Sequence, residues 1–272
     1  MRLQALLAGI AVFVAGCAGQ PASNPEVAAQ LDRALASQHR SAAYRTRDRY
    51  RHPKETLEFF GIRPDMTVVE VWPGAGWYTE ILAPFLREKG KLYVAQLDPQ
   101  GSDYAKRIVG DFRAKLDERP DLYSNITVTT LAASSQAPIA PAGSADLVLT
   151  FRNLHNWMMF GWEQQALAAM HAALKPGGIL GIVEHRGDPN VAQDPKAASG
   201  YVNEAYAIEL IERVGFELID RSEVNANPQD EKNYEKGVWA LPPTFAAGDE
   251  DRERYARIGE SDRFTLKFRK LP

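Results

Sequence analysis

Cysteine is nearly absent: Cys17 is the only one in 272 residues, which excludes a disulfide-built fold and a multi-cysteine metal site. Charge of one sign is missing too. Lys and Arg number 32 against 35 Asp and Glu, a net charge of −3, so the bulk balance carries no footprint of a nucleic-acid binder. Any basic site has to be local. The apolar run from Leu3 to Val14 is too short to cross a bilayer as a stable anchor. There is no internal repeat and no low-complexity tract. His39, His52, His155, His171 and His185 include no pair at ligand spacing, so no metal set stands out. "AASSQ" lacks the glycines that flank a hydrolase serine. What is present is a composition 45% hydrophobic and 25% charged, enough for one core and one domain.

The first residues have the layout of an export signal: Met1-Arg2 is a short positive start, an apolar run follows, then small residues. "VAGC", ending at Cys17, resembles the lipobox of bacterial lipoproteins. That resemblance implies a signal peptide over 1–17, cut before Cys17, whose thiol then carries lipid. Ala18 is not an inner-membrane retention signal of the Asp type. For a Gram-negative source the expected destination is therefore the outer membrane, facing the periplasm, with membrane contact through the lipid anchor only.

Residues 18–53 read as a tether and an N-terminal helical segment. Asn24 and Pro25 are placed to cap and start a helix through "PEVAAQLDRALAS". Arg40, Arg45, Arg47, Arg49 and Arg51 then crowd a short span, either as a solvated face or as an anion-binding cluster at a site mouth. From Lys54 helical and extended periods alternate. "DMTVVEVW", "GKLYVAQLD", "NITVTTLA", "SADLVLTF" and "GGILGIVEH" read as strands, separated for the most part by helices. Continuous apolar strands with helical crossovers imply an α/β fold with a mostly parallel sheet covered on both faces. "GYVNEAYAIELIERVG" reads as a helix, "FELIDRSEV" as a strand, and "DRFTLKFRK" as an alternating, antiparallel edge strand.

In "VVEVWPGAGWYTEIL" a strand meets a helix across a glycine turn, where Gly74 and Gly76 let backbone N–H groups approach a ligand. Asp98 ends the next strand about 22 residues on, placed to accept from ribose hydroxyls. This turn, "LYVAQLDPQ", "ADLVLTFRNLHNW" and "LKPGGILGIVEH" resemble, in order, motifs of the class I S-adenosylmethionine-dependent methyltransferases. More narrowly, "WPGAGWYTE", "RNLHNW", "GYVNEAYAIEL" and "GESDRFTLKF" resemble a group of exported predicted methyltransferases. The resemblance covers about four fifths of the chain. It implies a doubly wound, seven-stranded Rossmann-like sheet over 54–272 with the last strand antiparallel, and residues 225–262 as an insertion or lid. It implies methyl transfer from S-adenosylmethionine to a small-molecule acceptor, with Glu70, Gly74, Gly76, Asp98, Arg152 and Asn153 at the cofactor. The other reading is a ligand-binding or scaffold lipoprotein that keeps the fold without turnover.

Three departures from the family stand out. Trp72 replaces the first glycine of the turn, so its bulk either packs inward or narrows the pocket. No acid occurs around Ser134 and Ser135, where the family often contacts the adenine amino group. Export separates the protein from the cytoplasm, where this cofactor is made. A dinucleotide reading competes on "GAGWYT", but Thr79 stands where a third glycine is needed. His155 and His185, following the fourth and fifth strands, are the candidate catalytic bases, and Glu184 is placed to orient one of them. Arg152 is placed to pair with an acid or an anionic substrate, and Asn153 to hold a turn. Trp157, Trp162 and Tyr201 are either core or the frame of an acceptor. The long segment 225–262 reads either as a lid over the acceptor site with Trp239 inserted or as a structural flap.

Overall fold

The computed structural model describes residues 24–272, so Cys17 and the signal segment lie outside the described residues. The chain opens with helices α1 (Pro25–Ala36), α2 (Ala42–Arg45), α3 (Asp48–Arg51) and α4 (Pro53–Phe60). It continues β1 (Thr67–Val71), α5 (Thr79–Leu86), β2 (Lys91–Gln96), α6 (Asp103–Glu118), α7 (Pro120–Tyr123) and β3 (Ile126–Thr130). Then come β4 (Ala145–Phe151), α8 (Leu154–Phe160), α9 (Glu163–Ala173), β5 (Leu174–His185) and α10 (Glu204–Glu212). The last elements are β6 (Phe216–Ser222), α11 (Arg252–Ile258) and β7 (Arg263–Lys270). Local chemistry sets several boundaries. Asn24 accepts from the Glu26 N–H at 3.0 Å ahead of Pro25, and Ser102 Oγ accepts from the Ala105 N–H at 3.1 Å at the start of α6.

The seven strands form one sheet in the order β3-β2-β1-β4-β5-β7-β6. β1 to β5 run parallel, and β7 is antiparallel to both β5 and β6. The expected place of the last strand needs correcting. β7 is an interior strand, paired with β5 from Ile179↔Arg269 to His185↔Arg263, and β6 is the edge. Its Phe264, Leu266 and Phe268 go into the core, while the intervening Thr265 is also buried. An alternating pattern reports one apolar face and is silent about whether the strand has one neighbour or two.

Successive residues of a strand serve opposite faces. Val68, Leu147 and Leu149 pack against Leu57, Phe60, Ile81, Leu82 and Phe112 on one side. Val69, Val71, Val148 and Ile182 pack against Trp157, Leu167, Met170 and Leu210 on the other. The long β6–β7 connection is no loose flap. Tyr234, Val238, Leu241 and Tyr255 form a smaller core with Tyr201. Asp230 accepts from the Tyr201 hydroxyl at 2.9 Å and the Asp262 N–H at 2.8 Å, and Asn225 Nδ2 donates to Thr56 Oγ1 at 3.0 Å and Thr265 Oγ1 at 2.9 Å. This connection and helices α2 to α4 thus meet over the carboxyl ends of β4 and β5.

Candidate active site at the carboxyl edge of the sheet

The turn after β1 is held by its neighbours. The Trp72 N–H donates to the Ala95 carbonyl at 2.8 Å, and Gln96 Nε2 donates to the Gly74 carbonyl at 3.0 Å. Gly74 (φ 60°) and Gly76 (φ 85°) take the left-handed conformation that glycine adopts at no steric cost. Their surroundings differ. A Cβ on Gly74 would meet nothing within 4 Å, whereas one on Gly76 would lie 3.0 Å from the Phe112 ring. Gly74 faces open space; Gly76 lets α6 pack. Asp98 is half-buried, and its Oδ1 accepts from the Gln100 N–H at 2.9 Å, leaving Oδ2 without a partner among the described residues. Glu70 lies fully beneath the turn, accepting from Thr79 Oγ1 at 2.6 Å, and burial pushes its pKa up to about 7. It supports the turn from below.

Trp72 also has a positive φ, 48°, unusual for so large a residue. Its indole Nε1–H donates to the Leu131 carbonyl at 2.9 Å, and its ring lies 5.7 Å from Trp157 and 5.4 Å from Trp162. The half-buried indole therefore stands between the loop after β3 and the helices after β4. Asn153 closes the same corner, with Nδ2 donating to Val71 O at 3.0 Å, Trp72 O at 3.4 Å and Thr150 Oγ1 at 3.1 Å. Its amide holds β1 and β4 together. The turn thus offers open space at Gly74 and an Asp98 carboxylate oxygen without a partner among the described residues, features that suit an adenosine cofactor, with the Trp72 indole beside them.

The two histidines come together. His155 lies on the first turn of α8, and Glu184 and His185 end β5. His155 Nδ1 is 3.0 Å from Glu184 Oε1, and the His155 N–H donates to Glu184 Oε2 at 3.2 Å. His185 Nδ1 shares a 2.5 Å hydrogen bond with Ser261 Oγ. The rings are 5.3 Å apart, with Trp239 at 6.0 Å from His155 and Tyr201 at 6.4 Å from His185. Neither Nε2 has a hydrogen-bond partner among the described residues. Burial, then the nearby His155, Arg152 and Arg263, hold His185 well below the usual imidazole range, so it is neutral at pH 7.

One donor atom each from His155, Glu184 and His185 lie within 4.8 Å of one another, a metal-type grouping that sequence spacing does not display. Glu184, however, already accepts from both His155 donors and from the His185 N–H at 2.8 Å. Its position is that of an orienting group for His155.

Beside the histidines is a cluster of arginines that the sequence showed only in part. Arg51 Nε, Arg263 Nη1 and Arg152 Nη1 approach the same oxygen, Glu260 Oε2, at 3.2, 3.2 and 3.7 Å, while Arg47 Nε donates to Oε1 at 2.5 Å. Burial alone would raise the Glu260 pKa, but the four guanidiniums outweigh it and hold the carboxyl at about 2. Burial pushes Arg152 down to about 10. Tyr78 stacks on Phe151 at 3.6 Å, and burial pushes its phenol up to about 12. Of the arginine run near the start, Arg47 and Arg51 join this cluster, Arg40 is buried against Asp48, and Arg45 and Arg49 are exposed. Glu260, Ser261 and Arg263 had no assigned role in the sequence; only the closure of the β6–β7 connection brings them here.

Solved structures share this architecture. A methyltransferase dependent on S-adenosylmethionine from Aquifex aeolicus is 16% identical, with 90% of this chain and 98% of that chain covered at a TM-score of 0.56. The [4+2]-cyclase SpnF is 18% identical over 90% of this chain and 93% of its own, at a TM-score of 0.54. A protein assigned as a sarcosine dimethylglycine methyltransferase from Galdieria sulphuraria is 13% identical over 84% and 85%, at 0.53. No protein-family model matches the sequence, and no curated protein does. The chain has the fold of the class I S-adenosylmethionine-dependent methyltransferases.

Proposed function

We propose that the protein is a methyltransferase that moves a methyl group from S-adenosylmethionine to a small-molecule acceptor lying over the ends of β4 and β5. The observation that carries this reading is the His155–Glu184 pair, set beside His185 at the sheet edge that also bears the open glycine turn. The cofactor, when bound, supplies a sulfonium methyl whose C–S bond breaks as the acceptor's bond to carbon forms. Gly74 and Asp98 would hold it. With the His155 Nδ1–H directed at Glu184, the lone pair of Nε2 is free to take the proton that an acceptor hydroxyl or amine gives up. The buried Glu184 carboxylate then stabilises the imidazolium. His185, kept neutral, offers a hydrogen-bond acceptor that orients the same group.

The test is calorimetry of S-adenosylmethionine and S-adenosylhomocysteine with the chain lacking residues 1–17. Micromolar binding that disappears in Asp98→Ala supports the reading. The Trp72 indole favours a second reading, a protein that keeps the fold and binds another ligand without turnover. Absence of binding by a well-folded wild type, restored in Trp72→Gly, would decide for that one.

We also infer export and lipid attachment at Cys17, with the protein facing the periplasm from the outer membrane. The sequence "VAGC" after the apolar run supports this reading. Cys17→Ser should move the protein from the membrane fraction to the soluble one.

A further inference from the structure

The charge count around Glu260 does not close. Four guanidiniums surround one carboxylate, and the neighbouring acids are already engaged. Glu184 is bound to His155. Asp262 faces Lys232 at 3.0 Å and Arg186 at 3.7 Å. Taking cations out of water is costly unless they are paired, so surplus buried guanidiniums call for a partner that the chain does not supply.

Two of the four cations are accounted for. Arg263 donates from Nε to Ser261 O at 3.0 Å, from Nη1 to Glu260, and from Nη2 to Tyr50 O at 2.8 Å, which fastens β7 to α3. Arg47 is bonded to Glu260 and lines a cleft of ≈ 220 Å³ with Arg49, Tyr50, Pro242 and Phe245, where solvent screens it. Arg51 and Arg152 remain. Arg51 spends Nε on Glu260 and lays its guanidinium 4.6 Å over the Trp77 ring, leaving both terminal nitrogens without a hydrogen-bond partner among the described residues. Through its guanidinium, Arg152 makes only the 3.7 Å approach to Glu260 and no hydrogen bond among the described residues, and 22% of its side chain stays exposed. It is also held at φ 61°, a backbone conformation that costs free energy in a non-glycine residue. Both approach Glu260 Oε2, which brings the two guanidiniums together, and the next residue, Ser261, bonds His185 Nδ1 at 2.5 Å, while His185 pairs across the sheet with Arg263, itself bonded to Glu260.

We propose that the crevice selects acceptors by an anionic group, a carboxylate or a phosphate, held by the free N–H groups of Arg51 and Arg152. Two guanidinium forks match the oxygens of either anion, and the bond is charge-assisted in a site of low dielectric. The acceptor is then a small molecule with its anion at the arginines and its nucleophile at His155 and His185, alongside Trp239 and Tyr201. This assignment of substrate class rests on reading the crevice as the acceptor site. The anion site itself does not depend on methyl transfer.

The experiment is thermal unfolding and calorimetry of the chain lacking residues 1–17, without S-adenosylmethionine, titrated separately with inorganic phosphate and with acetate. Chloride at matched ionic strength is the control. A saturable rise in melting temperature with at least one titrant is expected, with a Kd of about 1 mM. A response to phosphate alone assigns phosphorylated acceptors, and a response to acetate assigns carboxylic acids. Arg152→Gln and Arg51→Gln should each weaken binding at least about tenfold, and Arg152→Lys, which keeps the charge without the fork, should retain part of it. Arg152→Gln should unfold at no lower a temperature than the wild type when no anion is present, because it relieves repulsion. The proposal fails if neither titrant acts beyond the chloride control, if both glutamine variants bind as the wild type does, or if anion-free Arg152→Gln is destabilised, which would make Arg152 a structural partner of Glu260. Anion binding without cofactor binding would leave this site standing and remove methyl transfer; cofactor binding without anion binding would do the reverse.

Discussion

The indole N–H of Trp72 meets the carbonyl of Leu131 at 2.9 Å, tying the end of β1 to the loop after β3 across the crevice. With Trp157 and Trp162 against the same ring, a residue that replaces a glycine fills the space beside the turn with side chain. Replacing it with glycine should tighten S-adenosylhomocysteine binding by about tenfold, worth about 1.4 kcal/mol. The stability cost should be about 1–2 kcal/mol, below the range of about 3–5 for a fully buried tryptophan, because the ring is half-buried and glycine relieves the positive φ. Calorimetry and urea unfolding read both quantities. Weaker binding in the variant would show that the indole is a wall on which the base stacks.

His155 should matter to turnover and little to cofactor affinity. Once an acceptor is in hand, His155→Ala is expected to lower kcat by about 100-fold or more, the usual contribution of a positioned base. The Kd for S-adenosylhomocysteine should stay the same. The substitution also leaves Glu184, fully buried, without its imidazole partner, so stability should fall by about 1–3 kcal/mol. Equal loss of cofactor binding would place His155 in the wrong role.

Glu70 gives a pH signature in the neutral range. Its folded pKa, about 7, lies above the ordinary glutamate range because burial penalises the charge. A raised acid pKa contributes stability that is fully present below the unfolded value and is lost as pH rises through about 7. The melting temperature should therefore decline from about pH 5 to about pH 8 in the wild type, and Glu70→Gln should flatten that decline. A variant with an unchanged pH profile would show that Glu70 is not the group responsible.

Glu260 acts in the opposite sense. Its pKa of about 2 lies below the ordinary value, so its contribution is present above about pH 4.5 and is lost as pH falls through about 2. Glu260→Gln leaves buried guanidiniums facing one another without a carboxylate, and about 3–5 kcal/mol of stability should go at neutral pH. The difference from the wild type should narrow in acid. Chemical unfolding at a series of pH values measures it.

Much of the architecture is local physics and is legible along the chain. Asn24 with Pro25, and Ser102 before α6, start helices through bonds to residues two or three positions away. The apolar strands Val68 to Val71 and Leu147 to Phe151 announce a parallel sheet buried on both faces. The glycine turn after β1, the place of Asp98 just past β2, and those of His155 just past β4 and His185 at the end of β5 likewise follow from order and spacing. The interior place of β7, the Trp72–Leu131 bond, and the meeting of Arg51 with Glu260 across 209 positions could not. The sequence by itself determined which elements form and in what order, because periodicity and capping act within a few residues. Only the tertiary structure decided that one carboxylate would face four guanidiniums beside two imidazoles, because that depends on how the β6–β7 connection and the N-terminal helices close over the sheet.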